Sequence, residues 1–181
     1  LEPRKGHRLV LQALDRLPNA LARRVVYAVA GRDIEDEYVA ELKRLGEASA
    51  ARVRFVGTLE QDTLRALYHR ADLFTLPGEP HPSRVEGFGL VFLEAAAQGT
   101  PSLATELGGI PEAIAHESTG IVVPQADLDR YAKALEMLLS SPEIRQVYGV
   151  AARRRAADFT WDRCAAASYG VVGSDPKNVT G

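Results

Sequence analysis

Short β-branched runs alternate with helix-length segments along almost the whole chain, and this alternation limits the fold more than any other feature. The runs are Val25–Ala30, Val53–Val56, Leu73–Leu76, Ser102–Ala104 and Ile121–Val123. Helical patterns fall at Gly6–Arg16, Ile34–Gly46, Gln61–His69, Gly89–Gln98, Ile110–Ala115, Asp127–Ser140 and Pro142–Phe159. Strands joined through helices run parallel, because a crossover of that length returns the chain to the same end of the sheet. The expected fold is α/β, a Rossmann-like parallel sheet flanked by helices on both faces. Ligands of such sheets bind beyond the carboxyl ends of the strands.

At 181 residues the chain fits one domain, expected over 1–172, with a polar tail at 173–181 expected to be disordered. A net charge of −2 gives no broad basic field, so nucleic acid is not an expected partner. The single cysteine, Cys164, excludes an internal disulfide and a cysteine-based zinc site. It suits a reducing compartment, and the expected location is cytoplasmic. No apolar run approaches the roughly 18 residues of a membrane span. The chain opens in mid-pattern on Leu1-Glu2-Pro3-Arg4-Lys5-Gly6-His7, without an initiator Met, as expected of a piece of a longer protein.

The segment from Val85 to Ala95, Val-Glu-Gly-Phe-Gly-Leu-Val-Phe-Leu-Glu-Ala, carries the densest chemistry. Gly87 and Gly89 permit dihedrals closed to other residues and let a ligand approach the backbone. The helix expected to begin near Gly89 leaves its first amides without intrahelical partners, and its dipole favours an anion there. Glu94 stands roughly 7.5 Å further along the axis, within reach of a ribose whose phosphate sits at the helix start. Glu86 faces the other end of such a ligand, where a carboxylate accepts hydrogen bonds from sugar hydroxyls. A capped helix with two solvated acids is the plain alternative. The apolar run Leu90-Val91-Phe92-Leu93 directly before Glu94 argues against it.

Seven landmarks stand in order: Lys5-Gly6-His7, Phe55-Val56-Gly57, Ala71-Asp72-Leu73-Phe74, Glu86 to Glu94, Gly99-Thr100-Pro101, Gly108-Gly109-Ile110-Pro111-Glu112 and Phe159-Thr160-Trp161. On these residues the chain, from Leu1 to about Tyr169, resembles the carboxyl-terminal, donor-binding domain of retaining glycosyltransferases with the GT-B fold, of the group 1 type. The resemblance implies transfer of a sugar from a nucleoside-diphosphate sugar, a UDP, GDP or ADP sugar, with retention at the anomeric carbon and no obligatory metal or cofactor. It implies that Lys5 contacts the donor diphosphate and stabilises charge on the leaving nucleotide. Glu86 would lie beside the donor sugar. The backbone of Gly87, Phe88, Gly89 and Leu90 would hold sugar hydroxyls and phosphate, Glu94 the ribose, and the backbone near Thr58 and Leu59 the base.

The family also carries an arginine five positions before the lysine that matches Lys5, a position immediately ahead of Leu1. The acceptor is expected to bind mainly to an amino-terminal domain outside this sequence, so the chain alone is expected to bind donor without turnover. Peripheral membrane association at the inner face is a further expectation for the full-length protein. A non-catalytic nucleotide-sugar-binding module and a GT-B epimerase are the alternatives. A dinucleotide-dependent dehydrogenase is disfavoured, since Val29-Ala30-Gly31-Arg32-Asp33 stands where Gly-x-Gly-x-x-Gly belongs.

Other motifs have plainer explanations. Asp127-Leu128-Asp129 copies a metal-binding Asp-x-Asp but precedes a helix, where a cap and a first-turn acid account for it. His7 is expected to cap or pack at the first helix. Arg153-Arg154-Arg155 reads as a solvated helix face, and Cys164 as a packed thiol.

Overall fold

The computed structural model describes residues 1–80, 89–160, 162–163 and 165. A single 3-10 turn, Pro3–Lys5, opens the chain. There follow α1 (His7–Leu14), α2 (Asn19–Ala22), β1 (Val26–Ala30), α3 (Asp36–Ala48), β2 (Arg52–Gly57), α4 (Gln61–Arg70) and β3 (Phe74–Thr75). The second half holds α5 (Leu90–Ala97), β4 (Ser102–Thr105), α6 (Ile110–Ala113), β5 (Gly120–Val123), α7 (Leu128–Ser140) and α8 (Pro142–Ala156). The alternation predicted from sequence is present, with helix ends shifted by no more than three residues. The short α2 behind Pro18 is an addition, too brief to give a periodic signal.

All strand pairs are parallel, but they fall into two sheets, β1-β2 and β3-β4-β5. This refines the expectation of one sheet. The run Leu73–Leu76 keeps only Phe74 and Thr75 in a ladder. Pro77 ends it, since proline has no N–H to offer a neighbour.

Helices cover both faces of the β3-β4-β5 sheet, as the period of a strand dictates. Leu103, Ile121 and Val123 point into the larger core, against Val10 and Leu14 of α1 and Tyr131, Leu135 and Leu138 of α7. Ala104 and Val122 point the other way, into a second core with Phe92 of α5 and Ile110 of α6. Strands covered on both sides explain why Ser102–Thr105 is buried at every position. Asp127 caps α7, its carboxylate accepting from Arg130 N–H at 2.9 Å, while Asp129 pairs with Arg16. The Asp-x-Asp motif is therefore used in structure.

His7, at the start of α1, is buried and its Nδ1 lies 2.9 Å from the Tyr27 hydroxyl on β1. Burial depresses its pKa from 6.5 to about 4, helped by the terminal ammonium and Lys5. The folded state keeps the imidazole neutral where the unfolded chain would protonate it, so stability is full above the unfolded value and declines as pH falls towards the folded one. Melting temperature should drop as pH falls from 6.5 towards about 4, a loss on the order of 3 kcal/mol. His7→Gln should flatten the slope between pH 6.5 and 5; an unchanged slope would assign it to other groups.

Candidate functional site

The site is organised by an unusually close contact between the start of the chain and the loop after β3. Gly6 ends the Pro3–Lys5 turn in the left-handed region, at φ 68°. A Cβ there would sit 1.8 Å from the Pro77 carbonyl oxygen, so only glycine admits the approach. Beside it, Glu79 N–H donates to the Arg4 carbonyl at 2.9 Å. On the far side Thr105 Oγ1, at the end of β4, donates to the Gly78 carbonyl at 2.7 Å. Pro77, Gly78 and Glu79 are thus held between the first turn and the carboxyl end of β4. Burial raises the Glu79 pKa, with Arg8 opposing it.

This clamp sets Lys5 at the carboxyl ends of the strands. Lys5, Thr58 and Leu59 line one cleft of about 800 Å³, together with Glu2, Gly31 and Arg32. Gly57 ends β2 at φ 68° and turns the chain so that Thr58 and Leu59 face the cleft. Lys5 and the adjacent pair Thr58 and Leu59, far apart in sequence, therefore line a common cavity.

At the start of α5, Gly89 is buried and takes φ 73° and ψ 51°. A Cβ there would meet the Phe92 ring at 2.8 Å. The first bond of the turn runs from Phe92 N–H to the Gly89 carbonyl at 2.9 Å, so the Leu90 and Val91 amides precede it. The Leu90 side chain is exposed. Glu94 is half-buried one turn on, and its Oε2 accepts from the Tyr68 hydroxyl at 3.4 Å. Glu86, Gly87 and Phe88, like His81, Trp161, Cys164 and the 173–181 tail, lie outside the described residues.

Tyr68 is the residue that sequence reasoning missed. Its spacing from Leu64 reads as ordinary core on α4, and the ring is indeed buried, packed edge-on against Phe74 at 5.3 Å. Phe74 in turn meets Phe92 at 5.4 Å. Thr100 Oγ1 fixes the backbone by donating to the Tyr68 carbonyl at 2.6 Å. Only the hydroxyl reaches a site residue. Burial, then the Glu94 carboxylate, raises the Tyr68 pKa, which keeps the hydroxyl protonated as a donor.

Among the described residues, no three His, Cys, Asp or Glu side chains gather as a metal site. No helix there is long and apolar enough to cross a membrane. Arg155 donates to the carbonyls of Glu112 and Ala113 and lies over the Phe159 ring, so one of the three consecutive arginines is structural.

Residues 1–155 match the family model described as glycosyl transferases group 1. The chain belongs to this family. A D-inositol 3-phosphate glycosyltransferase of Corynebacterium diphtheriae is 38% identical over 168 residues, covering 92% of this chain and 38% of the relative. A GDP-mannose-dependent alpha-(1-6)-phosphatidylinositol monomannoside mannosyltransferase of Mycobacterium tuberculosis is 34% identical over 171 residues, covering 92% of this chain and 43% of the relative. The chain spans about two-fifths of the length of these curated relatives. The crystal structure of Anabaena HepE in complex with UDP and glucose superposes with a TM-score of 0.79 at 23% identity, over 95% of this chain and 46% of that one. That likeness shows the fold, one half of a GT-B glycosyltransferase.

Gly6→Ala should lower stability by more than about 2 kcal/mol, from the left-handed backbone and the displaced Pro77 carbonyl together. Thermal unfolding would show a loss of roughly 5 °C. A variant that melts with the parent protein would mean that the clamp does not hold the first turn.

Proposed function

We propose that the chain is the donor-binding half of a retaining glycosyltransferase, which transfers a sugar from a nucleoside-diphosphate sugar to an acceptor without an obligatory metal. The observation that carries this reading is the delivery of Lys5 to the strand carboxyl ends, in one cleft with Thr58 and Leu59. The loop clamped against that turn leads in sequence to Glu86 and the start of α5. In this reading Lys5 offsets charge on the diphosphate as the bond to the anomeric carbon breaks. The amides at the start of α5 assist it, and such a donor is worth roughly 2.7–4 kcal/mol where it has been measured. Glu94 takes the ribose hydroxyls, Glu86 the sugar, and the Thr58–Leu59 backbone the base.

The named ligands of similar proteins support a nucleotide-sugar donor and differ in the nucleotide, UDP in one and GDP in another. The acceptor belongs to the part of the protein outside this sequence. The phosphatidylinositol-based name of one relative fits a full-length protein that works at a membrane, and the location proposed for it is the cytoplasmic side.

A thermal-shift panel of UDP, GDP, ADP and NAD tests the reading. A nucleoside diphosphate at a hundred times its Kd should stabilise the fold by about 2.7 kcal/mol, and NAD should not. Silence from all three diphosphates with a folded sample would count against donor binding. Glu94→Ala should weaken binding of the free nucleotide, whereas Glu86→Ala should weaken only the intact nucleotide sugar. Equal losses of free nucleotide in both would reverse the ligand orientation.

Tyr68→Phe keeps the ring packing and removes the hydroxyl from Glu94. Affinity for the free nucleotide should fall by up to roughly tenfold, the equivalent of one neutral-to-charged hydrogen bond of about 1.5 kcal/mol. Preference for ribose over 2′-deoxyribose nucleotide should shrink with it. An unchanged preference would leave Tyr68 a packing residue only.

A further inference from the structure

Arg153 and Arg154 are exposed, whereas Arg155, one residue short of the end of α8, is drawn onto α6. Its Nη2 donates to the Glu112 carbonyl at 2.5 Å and its Nε to the Ala113 carbonyl at 3.4 Å. The Phe159 ring lies 5.3 Å from the guanidinium and covers it. Those two carbonyls close α6, which is four residues long. A helix of one turn draws little stability from its own length, and its last carbonyls have no acceptor role inside it. One planar side chain from α8 supplies both bonds.

What α6 carries is Ile110, which is buried in the second core with Phe92. A Cβ on Gly78 would stand 3.6 Å from Ile110 Cδ1, and a Cβ on Gly89 would stand 3.7 Å from Ile110 Cγ1. The same side chain therefore lies against the backbone at both glycines. Gly78 belongs to the loop clamped on the first turn, and Gly89 is the left-handed residue at the start of α5. Leu107, whose carbonyl accepts from Ile110 N–H at 3.1 Å, backs Gly78 more closely still, at 2.5 Å from the same Cβ position. A close-packed interior has little free volume in which to absorb a displacement, so a shift of α6 is passed to both glycines.

We propose that Arg155 is a positioning residue for the diphosphate end of the donor site. By bonding the last carbonyls of α6 it keeps Ile110 seated, and Ile110 fixes Gly89 and with it the direction of the Leu90 and Val91 amides. Direction matters there, because a hydrogen bond to a phosphate weakens steeply once the N–H turns away from it. The proposal rests on the donor reading, which aims those amides at the diphosphate.

Calorimetric titration of the full-length protein, well below its melting temperature, tests it. The probes are UDP, GDP and ADP, each compared with its own monophosphate. Arg155→Met should reduce the preference for diphosphate over monophosphate by roughly tenfold, the equivalent of one hydrogen bond to a charged group. Arg155→Lys, which keeps the charge and one donor, should recover part of it. Ile110→Ala should reproduce the loss, and the double variant should lose little more than either single one, since both act through one path. Arg153→Met and Arg154→Met should match the parent. A merely structural role would lower the melting temperature and leave the preference unchanged; that result, or full additivity in the double variant, would overturn the proposal. A parent protein that binds none of the three diphosphates would overturn the donor reading and the proposal together, whereas a parent that binds and an Arg155→Met protein with the parental preference would overturn the proposal alone. Should Arg155→Met not fold, Arg155→Gln, which keeps one donor without the charge, decides by the same ratio.

Discussion

The contact of Gly6 with the Pro77 carbonyl is the constraint on which the rest of the site depends. It joins the first turn of the chain to the loop after β3, about seventy residues later, at a distance that no side chain could share. Neither segment has much of its own to hold it, since the first is one 3-10 turn and the second is irregular chain behind a two-residue strand. Together they complete each other: Glu79 N–H finds the Arg4 carbonyl, and the Gly78 carbonyl finds Thr105. Buried polar backbone is satisfied by a partner chosen through topology.

Much of this was legible in the sequence, and the reason is local. Each helix and strand of the main alternation announces itself through a period that needs no tertiary knowledge, and the caps sit where Asp127 and Gly89 suggest. Lys5, Thr58 and Leu59 were nameable only through the family resemblance, and the structure sets a left-handed glycine, Gly6 or Gly57, beside them. What stayed hidden was non-local. Nothing about Tyr68 in the sequence distinguishes a core aromatic from one whose hydroxyl reaches a carboxylate on the next helix. The break between β1 and β3 was equally invisible, because a strand run does not say which neighbours its edges will find.

The aromatic series Tyr68, Phe74 and Phe92 shows how packing and chemistry share one set of residues. The edge-on contacts fix α4, β3 and α5 relative to one another. Glu94 sits on the most apolar of these helices, where an unheld carboxylate would be costly, and the Tyr68 hydroxyl offsets that cost from an already rigid ring. In the reading proposed above, a ligand hydroxyl at Glu94 would meet a carboxylate beside a ring that is already packed in place. The second core therefore has a role beyond stability, since the same rings that bury α5 against the sheet determine where Glu94 points.

Charge is arranged with similar economy. The net charge of −2 rules out a broad positive field that would gather anions from a distance. Any attraction for a diphosphate would then be local, from Lys5, with Arg32 in the same cleft, and from main-chain amides whose direction is set by the fold. Such groups act strongly only where water is thin and their positions are fixed beforehand. Lys5 meets the second condition through the clamp at Gly6, and the start of α5 meets it through the left-handed Gly89, whose own Cβ would strike Phe92. The first condition requires cover over an open cleft. In the reading proposed above, that cover would come from the acceptor-binding part of the protein, and closure over the second substrate would then also remove the water.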